Sequence, residues 1–265
     1  MSPYKDAGAV VVTAFSSDEK AAITHSKIIA GGGVFIPPLQ YEPPAHYLNK
    51  NDKGMAVVRE LDMLRRTSAL GHFSPEDHAN TFQCLENTRT VEGCFMEIGV
   101  YKGDGARASL RYMNSAGIKR KVWLLDTYEG FSYDAAKSSV DQQWVGTHND
   151  GPIDLVKANL AEYVGNLDVE FVKMDVCKDE LPSSTGPIAV CNIDVDMYEA
   201  VKYALAKVHP RIPRRGIIIA EDIGHTPGLG GAELALREFL ETADGHKYMP
   251  FYMHSGQTLL VKLDA

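Results

Sequence analysis

The sequence has few cysteines, no lysine- and arginine-rich run, and no apolar stretch long enough to cross a membrane. The four cysteines show no C-x-x-C spacing, so we expect buried free thiols in a reducing cytoplasm, with neither a zinc knuckle nor a disulfide framework. The first residues, MSPYKDAGAVVVTAF, fit neither a signal peptide nor a membrane span. The formal net charge of −8 argues against nucleic acid or an anionic membrane as the partner. A small molecule is therefore the expected ligand.

Glycine and proline are concentrated near the N-terminus, with a Gly-Gly-Gly run and four prolines between residues 31 and 44. This pattern leaves no long periodic segment, so we predict an irregular N-terminal cap over residues 1–54. Hydrophobic residues make up 45% of the 265-residue chain, which is enough for a sizeable core. We predict that residues 55–265 form a single main domain.

The main domain alternates between strand-like and helix-like patterns. Short apolar runs predict strands at residues 93–98, 121–125, 169–174, 188–193 and 216–220. Helical spacing of apolar residues predicts helices at residues 55–70, 75–90, 106–116, 153–164, 198–209 and 232–242. Ser74 is the expected N-cap of the second helix. Strands that alternate with helices indicate an α/β fold, in which a parallel sheet is covered by helices on both faces.

The C-terminal part follows a different pattern. Residues 247–253 and 257–263 form two strand-like runs separated by a short polar turn. This spacing is typical of an antiparallel hairpin. A mostly parallel sheet that ends in an antiparallel hairpin is the order expected of the Rossmann-like fold of class I methyltransferases.

A glycine-containing loop follows the first strand of the predicted sheet, in the segment FMEIGVYKGDGA. Gly99 and Gly103 allow a tight turn and a close approach of the backbone to a ligand, and Glu97 lies near the strand end. The G-x-G-x-x-G pattern of nicotinamide-binding folds is missing, which disfavours an oxidoreductase. The pattern E-x-G-x-x-x-G resembles instead the S-adenosylmethionine loop of class I methyltransferases.

Acidic residues follow the next two strands. Asp126 lies where an acid typically binds the ribose hydroxyls of an adenosine cofactor, although an aspartate that fixes a turn would fit the same position. Asp175 follows the third strand and could accept a hydrogen bond from an adenine amino group, or it could be an exposed strand-end acid. Together with the glycine loop, these acids predict an adenosyl cofactor.

Three further carboxylates come from the ends of the fourth and fifth strands: Asp194, Glu221 and Asp222. Because neighbouring parallel strands end at the same edge of a sheet, these carboxylates can converge on one point. Mg²⁺ and other hard divalent cations prefer such oxygen ligands. Separate solvated acids that cap the following helices are the alternative interpretation.

The connection between residues 127 and 152 is long for a strand-to-helix loop and carries Phe131, Tyr133, Trp144 and His148. Loops of this length more often form lids or assembly surfaces than simple linkers. We predict that this segment closes over the cofactor and contributes to the acceptor pocket.

Three segments carry a resemblance to a known family: VWLLDTYEGF, NIDVDMYEAVKYAL and RRGIIIAED. They resemble the macrocin O-methyltransferase family, whose members are metal-dependent enzymes that methylate sugar hydroxyls on macrolides and related natural products. The resemblance covers roughly residues 93–240, and I-D-V-D-x-Y-E is its most specific part. It implies that Asp194, Glu221 and Asp222 bind the metal. It also implies that Asp196 is the general base.

The same resemblance assigns six residues to the cofactor side of the site: Glu97, Gly99, Tyr101, Gly103, Asp126 and Asp175. Three features depart from the family pattern. Glu221 replaces the usual aspartate, Ile223-Gly224-His225 replaces the usual aromatic residue, and RRGIIIAED lacks the strict Gly-Gly before the strand. His225 closely follows the acid pair and is a second candidate for the base or for an acceptor contact.

The expected function is transfer of a methyl group from S-adenosylmethionine to a sugar hydroxyl of a glycosylated natural product, with Mg²⁺ or another divalent cation. Methylation of a catechol or phenol is an alternative, although Met197 and Tyr198 occupy the neighbourhood where a lysine usually assists that reaction. A non-catalytic protein that binds the adenosyl cofactor is a second alternative. We also expect a homo-oligomer, assembled through the apolar cap and lid.

Overall fold

The computed structural model describes residues 53–54, 56–58, 73–223 and 230–263. Its α-helices are α1 (Pro75–Asn87), α2 (Asp104–Ala116), α3 (Ile153–Val164), α4 (Tyr198–Val208) and α5 (Gly231–Leu240). Its strands are β1 (Cys94–Ile98), β2 (Val122–Asp126), β3 (Val169–Lys173), β4 (Ile188–Ile193), β5 (Ile217–Ala220), β6 (Tyr248–Tyr252) and β7 (Thr258–Lys262). Residues 53–54 and 56–58 are also helical.

The strands form one sheet in the order β3-β2-β1-β4-β5-β7-β6. The strands β1 to β5 pair in parallel, whereas β7 is antiparallel to both β5 and β6. The second strand of the C-terminal hairpin therefore enters the sheet between β5 and the first strand of the hairpin. This arrangement confirms the predicted parallel α/β sheet that ends in an antiparallel hairpin.

The central strands β1, β4 and β5 are buried along their whole length. Their side chains alternate between two apolar clusters: Met96 and Cys191 pack on one face of the sheet, and Phe95 and Val190 pack on the other. A parallel sheet that is covered by helices on both faces requires such continuous apolar runs. The core therefore holds the carboxyl ends of β1, β4 and β5 in fixed positions at one edge.

Helix α1 begins with the N-cap predicted from the sequence. The Ser74 hydroxyl accepts a hydrogen bond from the Asp77 N–H (3.3 Å), and the Asp77 carboxylate accepts one from the Ser74 N–H (2.7 Å). This reciprocal capping box satisfies two backbone donors that the helix leaves unpaired, and Pro75 occupies the first helical position. Ser74 thus sets the start of α1 beside the edge of the sheet at which β1, β4 and β5 end.

The element boundaries agree closely with the sequence pattern. The predicted helix at residues 153–164 and the predicted strand at residues 188–193 match α3 and β4 at both ends. The predicted helix at residues 75–90 ends earlier, at Asn87, because Thr88 caps its C-terminus. Nearly all of the predicted cap at residues 1–54, and most of the predicted helix at residues 55–70, lie outside the described residues. None of the described helices combines the length and hydrophobicity that a membrane crossing requires.

Candidate active site

A cleft of about 320 Å³ lies at the carboxyl ends of the parallel strands. Its walls come from the loop after β1, from the ends of β2, β4 and β5, and from the segment between β2 and α3. Asp77 of α1 and Ser255 of the β6–β7 turn complete it. This is the position at which open α/β sheets bind their ligands.

Three carboxylates converge in this cleft: Asp194, Asp196 and Asp222. One oxygen from each lies within 4.8 Å of the other two. Asp196 and Asp222 have φ angles of 55° and 57°, in the left-handed region that non-glycine residues rarely adopt. A tight turn surrounds Asp196, in which the Met197 N–H donates to the Val195 carbonyl at 2.5 Å. Such backbone strain persists where the surrounding structure holds the residue in place, and it is common at functional sites.

The pKa values of Asp194 and Asp196 are raised because the carboxylates of the cluster are shielded from water and all carry negative charge. Shielding from bulk water raises the pKa of Asp194 well above its usual value, and the charges of Asp196, Asp222 and Glu221 raise it further. The pKa of Asp196 is also raised, first by shielding and then by the charge of Asp222 and a hydrogen bond to it. Carboxylates that repel one another in this way favour a shared proton or a bound cation.

Glu221 lies in the wall of the same cleft and is buried. Its Oε1 accepts a hydrogen bond of 2.8 Å from the Gln257 side-chain amide. Burial raises the pKa of Glu221, and the charge of Asp77 raises it further, whereas the hydrogen bond from Gln257 lowers it. The structure thus brings Asp194 and Asp222 together as the sequence predicts. It adds Asp196 to their group and pairs Glu221 with Gln257.

The loop after β1 is shaped by close packing against β4. Gly99 has a φ of 90°, and a Cβ atom added there would lie 1.7 Å from the Asp194 carbonyl oxygen. Tyr101 has a φ of 47° and lines the cleft. Gly103 has a φ of 90° and is the N-cap of α2. The glycines are therefore required by the backbone path that brings this loop next to the acid cluster.

Hydrogen bonds to Asp126 connect this loop to the end of β2. Its Oδ2 accepts hydrogen bonds from the N–H groups of Val100 (2.6 Å) and Tyr101 (2.9 Å). Its Oδ1 accepts a hydrogen bond from the Tyr128 N–H (2.7 Å). Asp126 lines the cleft, so a ligand can still reach this carboxylate, and its binding of ribose stays a prediction.

Three predicted cofactor residues lie outside the described cleft lining: Glu97, Asp175 and Gly103, the N-cap of α2. Glu97 is 1% exposed, and burial raises its pKa to about 8, with the charge of Asp104 as the next cause. Asp175 accepts a hydrogen bond from the Cys177 N–H (2.9 Å) and forms an ion pair with Lys178 (3.2 Å). These are the contacts of an acid that fixes a turn. The predicted catalytic candidate His225 lies outside the described residues.

The segment between β2 and α3 contributes aromatic side chains to the cleft, as the sequence predicts. Phe131, Tyr133, Trp144 and His148 all line it. The His148 ring packs against Tyr101 and Phe131, with ring centroids 5.1 Å and 4.6 Å away. The segment therefore forms a side wall that contacts the loop after β1.

Sequence reasoning missed Asp141, a buried residue of the same segment. Asp141 is 0% exposed, and its Oδ2 accepts a hydrogen bond of 2.8 Å from the Tyr198 N–H at the start of α4. A Cβ at Gly231, the first residue of α5, would lie 1.7 Å from the same oxygen. The carboxylate therefore lies between the N-termini of two helices, where the helix dipoles favour a negative charge. Its position in a long loop gave no local signal of this role.

Gln257 and its partner Asn80 were also missed. No local pattern identifies Gln257. In the structure Ala220 pairs with Thr258, and Gln257, the residue before β7, hydrogen-bonds to Glu221, the residue after β5. The sequence indicates a hairpin, but it does not indicate which strand of the hairpin pairs with β5. Knowing that β7 is the inner strand would have placed Gln257 opposite Glu221.

Residues 78–244 match the family model of the macrocin O-methyltransferases (TylF). A rhamnosyl-tetracenomycin C 4'-O-methyltransferase of Streptomyces olivaceus is 34% identical over 156 residues, which cover 54% of this chain and 58% of that protein. The demethyldecarbamoylnovobiocin O-methyltransferase of Streptomyces niveus is 24% identical over 77% of this chain and 82% of its own length. The solved structure of the O-methyltransferase NovP superposes with a TM-score of 0.62 at 18% identity, over 75% of this chain and 84% of that chain. This structural similarity establishes a shared fold.

Proposed function

Because the chain belongs to the macrocin O-methyltransferase family, we propose that it is an S-adenosylmethionine-dependent O-methyltransferase that acts on a sugar hydroxyl of a glycosylated natural product. The observation that carries this proposal is the strand-end cleft, in which an acid cluster adjoins a glycine loop. The tetracenomycin relative, which by name methylates a rhamnosyl group, supports a sugar acceptor. The match to this relative spans little more than half of its length.

The acid cluster fits an oxygen-preferring divalent cation. The oxygens of Asp194 and Asp222 lie together, and both residues also belong to the set predicted from the sequence. We propose that they hold Mg²⁺, with Glu221 of the same cleft wall as the third ligand. Bound Mg²⁺ would lower the pKa of an acceptor hydroxyl and position it. Without a cation, these carboxylates would repel one another.

Asp196 is the proposed general base. Its carboxylate lies beside those of Asp194 and Asp222 in the cleft, and a carboxylate positioned next to a reacting hydroxyl can act as its general base. The tight turn at Met197 holds the residue in its left-handed conformation. Its side chain would accept the proton that the acceptor hydroxyl loses.

The loop after β1 is the proposed site for the methyl donor. S-adenosylmethionine, when bound, would supply the methyl group. Gly99 lets the backbone pass close to the acid cluster, and Asp126 holds the Val100 and Tyr101 amides in place. The aromatic wall of the segment between β2 and α3 would exclude water from this side of the cleft.

Labelled S-adenosylmethionine, incubated with Mg²⁺ and either glycosylated natural products or catechols, tests the function directly. We expect methyl transfer to a glycosylated acceptor, and we expect EDTA and Asp194→Ala each to abolish it. Transfer to catechols alone would favour the phenol-type alternative. Binding of the donor without transfer to any acceptor would favour a non-catalytic protein.

Substitution of the proposed base gives a separate prediction. Asp196→Asn preserves the size of the side chain but cannot accept the proton, so kcat should fall by about 100-fold or more. Binding of S-adenosylmethionine, measured by calorimetry, should stay within a few-fold of wild type. An Asp196→Asn variant with wild-type kcat would exclude Asp196 as the base.

A cytoplasmic homo-oligomer is the form that we propose for the protein. The four cysteines are free thiols, which fits a reducing compartment. The edge strand β6 exposes Met249, Phe251 and Tyr252, with relative exposures of 42%, 45% and 71%. Exposed apolar side chains on an edge strand are typical of a contact surface. Light scattering of the wild type and of Phe251→Lys tests the oligomer, which the substitution should weaken.

A further inference from the structure

A polar network links helix α1, the C-terminal hairpin and the wall of the cleft. Gln257 precedes β7 and is 1% exposed. Its side-chain nitrogen donates to Glu221 Oε1 at 2.8 Å and lies 3.4 Å from the Asp77 carbonyl oxygen. The Gln257 amide is therefore fully removed from water, and it directs its donor group at one of the proposed cation ligands.

Asn80 of α1 determines the orientation of that amide. It is 3% exposed, and its side-chain nitrogen donates to Gln257 Oε1 at 2.8 Å. A donor on Asn80 requires that the oxygen of Gln257 face α1, and this leaves the Gln257 nitrogen to face Glu221. The Ser255 hydroxyl, 3.2 Å from the same oxygen, reinforces this orientation.

Backbone hydrogen bonds fix the two chain segments that carry Glu221 and Gln257. Ala220 pairs with Thr258 at the end of the antiparallel β5–β7 ladder, and Glu221 and Gln257 are the residues next to this pair. The Ile223 N–H donates to the Gly256 carbonyl at 2.9 Å and extends the pairing past Glu221. The backbones that carry the two side chains are thus fixed relative to each other.

We propose that Gln257, oriented by Asn80, is a positioning residue that holds the Glu221 carboxylate in the geometry required by the cleft. This inference rests on the proposed function, because it assigns Glu221 to the cation. A buried group that donates to a metal-ligating carboxylate fixes its direction, and loss of such a partner typically lowers metal affinity or activity by about 10- to 100-fold. A residue with a purely structural role would change stability and leave the affinity of the folded protein unchanged.

The test is a double-mutant cycle on Mg²⁺ affinity, measured by calorimetric titration of the full chain after removal of metal. Gln257→Met keeps most of the side-chain volume and removes the amide, and it should weaken Mg²⁺ binding by about 10-fold. Asn80→Ala should weaken binding in the same direction by a smaller factor. In a Glu221→Gln background, Gln257→Met should have no further effect, because it acts through Glu221.

A matched control comes from the same helix as Asn80. Gln83 makes an amide hydrogen bond to Asn87 at the surface, so Gln83→Met makes the same chemical change away from the cleft and should leave Mg²⁺ affinity unchanged. The melting temperature of each variant, from thermal unfolding, shows whether the variant is folded at the temperature of the titration. Wild-type affinity in Gln257→Met, or an equal loss with and without Glu221, would overturn the inference.

A failure of the proposed cation site can be distinguished from a failure of the positioning role of Gln257. If the wild type transferred methyl groups but bound no Mg²⁺, the metal part of the proposed function would fail. The KM for the acceptor is then measured in the same four proteins: the wild type, the two single variants Gln257→Met and Glu221→Gln, and the double variant. A rise in KM with Gln257→Met that disappears in the Glu221→Gln background would support the positioning role, and additive rises would exclude it.

Discussion

Gly99 has the most demanding backbone position in the cleft, because its φ of 90° coincides with contact against the Asp194 carbonyl. We expect Gly99→Ala to lower the free energy of unfolding by about 3 kcal/mol or more, and to abolish activity, since both the conformation and the added methyl group are unfavourable. Urea denaturation measures the loss.

Gly117 provides a matched control for this substitution. It has a φ of 69°, and a Cβ added there would meet nothing within 4 Å. Gly117→Ala should cost about 1 kcal/mol, from the left-handed conformation alone. Equal losses at the two positions would contradict a role for the close contact at Gly99.

Glu97 gives a prediction about pH. Burial raises its pKa from 4.5 to about 8, so between these pH values the native state binds more protons than the unfolded state. Stability should therefore fall as pH rises through this interval, with a contribution of at most about 1.4 kcal/mol per pH unit. Glu97→Gln cannot ionise and should flatten the pH dependence of the urea midpoint between pH 5 and pH 8. An unchanged slope in this variant would show that Glu97 ionises normally.

For single residues, the sequence predicted the place of the residue in the fold better than it predicted the direction of the side chain. Asp194 and Asp222 lie together because an acid at the end of a parallel strand must lie at the ligand-binding edge. Glu97 also lies near a strand end, but its side chain turns under α2, where a Cβ at Gly105 would lie 3.0 Å from its Oε1. Strand position alone does not distinguish these two outcomes, since direction depends on the packing of a distant helix.

Besides the apolar packing of Phe131 and Tyr133 in the core, the segment between β2 and α3 makes a buried hydrogen bond that was not predictable. Asp141 accepts from the start of α4, which has no side-chain cap of its own within the described residues. We expect Asp141→Ala to destabilise the protein by about 1–2 kcal/mol, as the loss of an N-cap does. Asp141→Asn keeps an oxygen acceptor and should cost less. Urea denaturation measures both effects.

Hydrogen exchange can localise the effect of Asp141. Loss of the cap should speed exchange in the first turn of α4, where Asp141 accepts the Tyr198 N–H, more than in α2. Faster exchange throughout the protein would indicate a general loss of stability and contradict a local role. Helix α4 begins two residues after Asp196, so activity should fall in the same order, more in Asp141→Ala than in Asp141→Asn.

Whole elements were predictable where their patterns were local. Strands β1, β4 and β5 are nearly continuous apolar runs, interrupted only by Glu97 and Asn192, because both of their faces are buried. Helix α1 begins at a capping box that four residues specify. The contacts of Asp141 and Gln257 join parts of the chain 57 and 36 residues apart. No pattern within either segment encodes its partner, so these contacts required the assembled sheet.

Across the whole molecule, the clustered acids predict that stability depends on a cation. Mg²⁺ that binds only the native state at 100 times its Kd should raise the free energy of unfolding by about 2.7 kcal/mol. Thermal unfolding with Mg²⁺ and with EDTA measures this difference. In Asp222→Asn the Mg²⁺ effect should be lost, while the cation-free variant should be more stable than the cation-free wild type near neutral pH, because one repelling charge is removed. A wild-type melting temperature that is independent of Mg²⁺ would contradict the cation site.

The position of β7 between β5 and β6 also affects the order in which the strands can pair during translation. A ribosome makes β6 before β7, yet β6 is joined to the rest of the sheet only through β7. The strands β1, β2 and β3 are all synthesised before residue 174, whereas Glu221 gains its partner Gln257 only after residue 257 has been synthesised. A nascent chain that stalls before residue 257 would therefore carry the glycine loop but would leave Glu221 without the partner that it has in the folded protein.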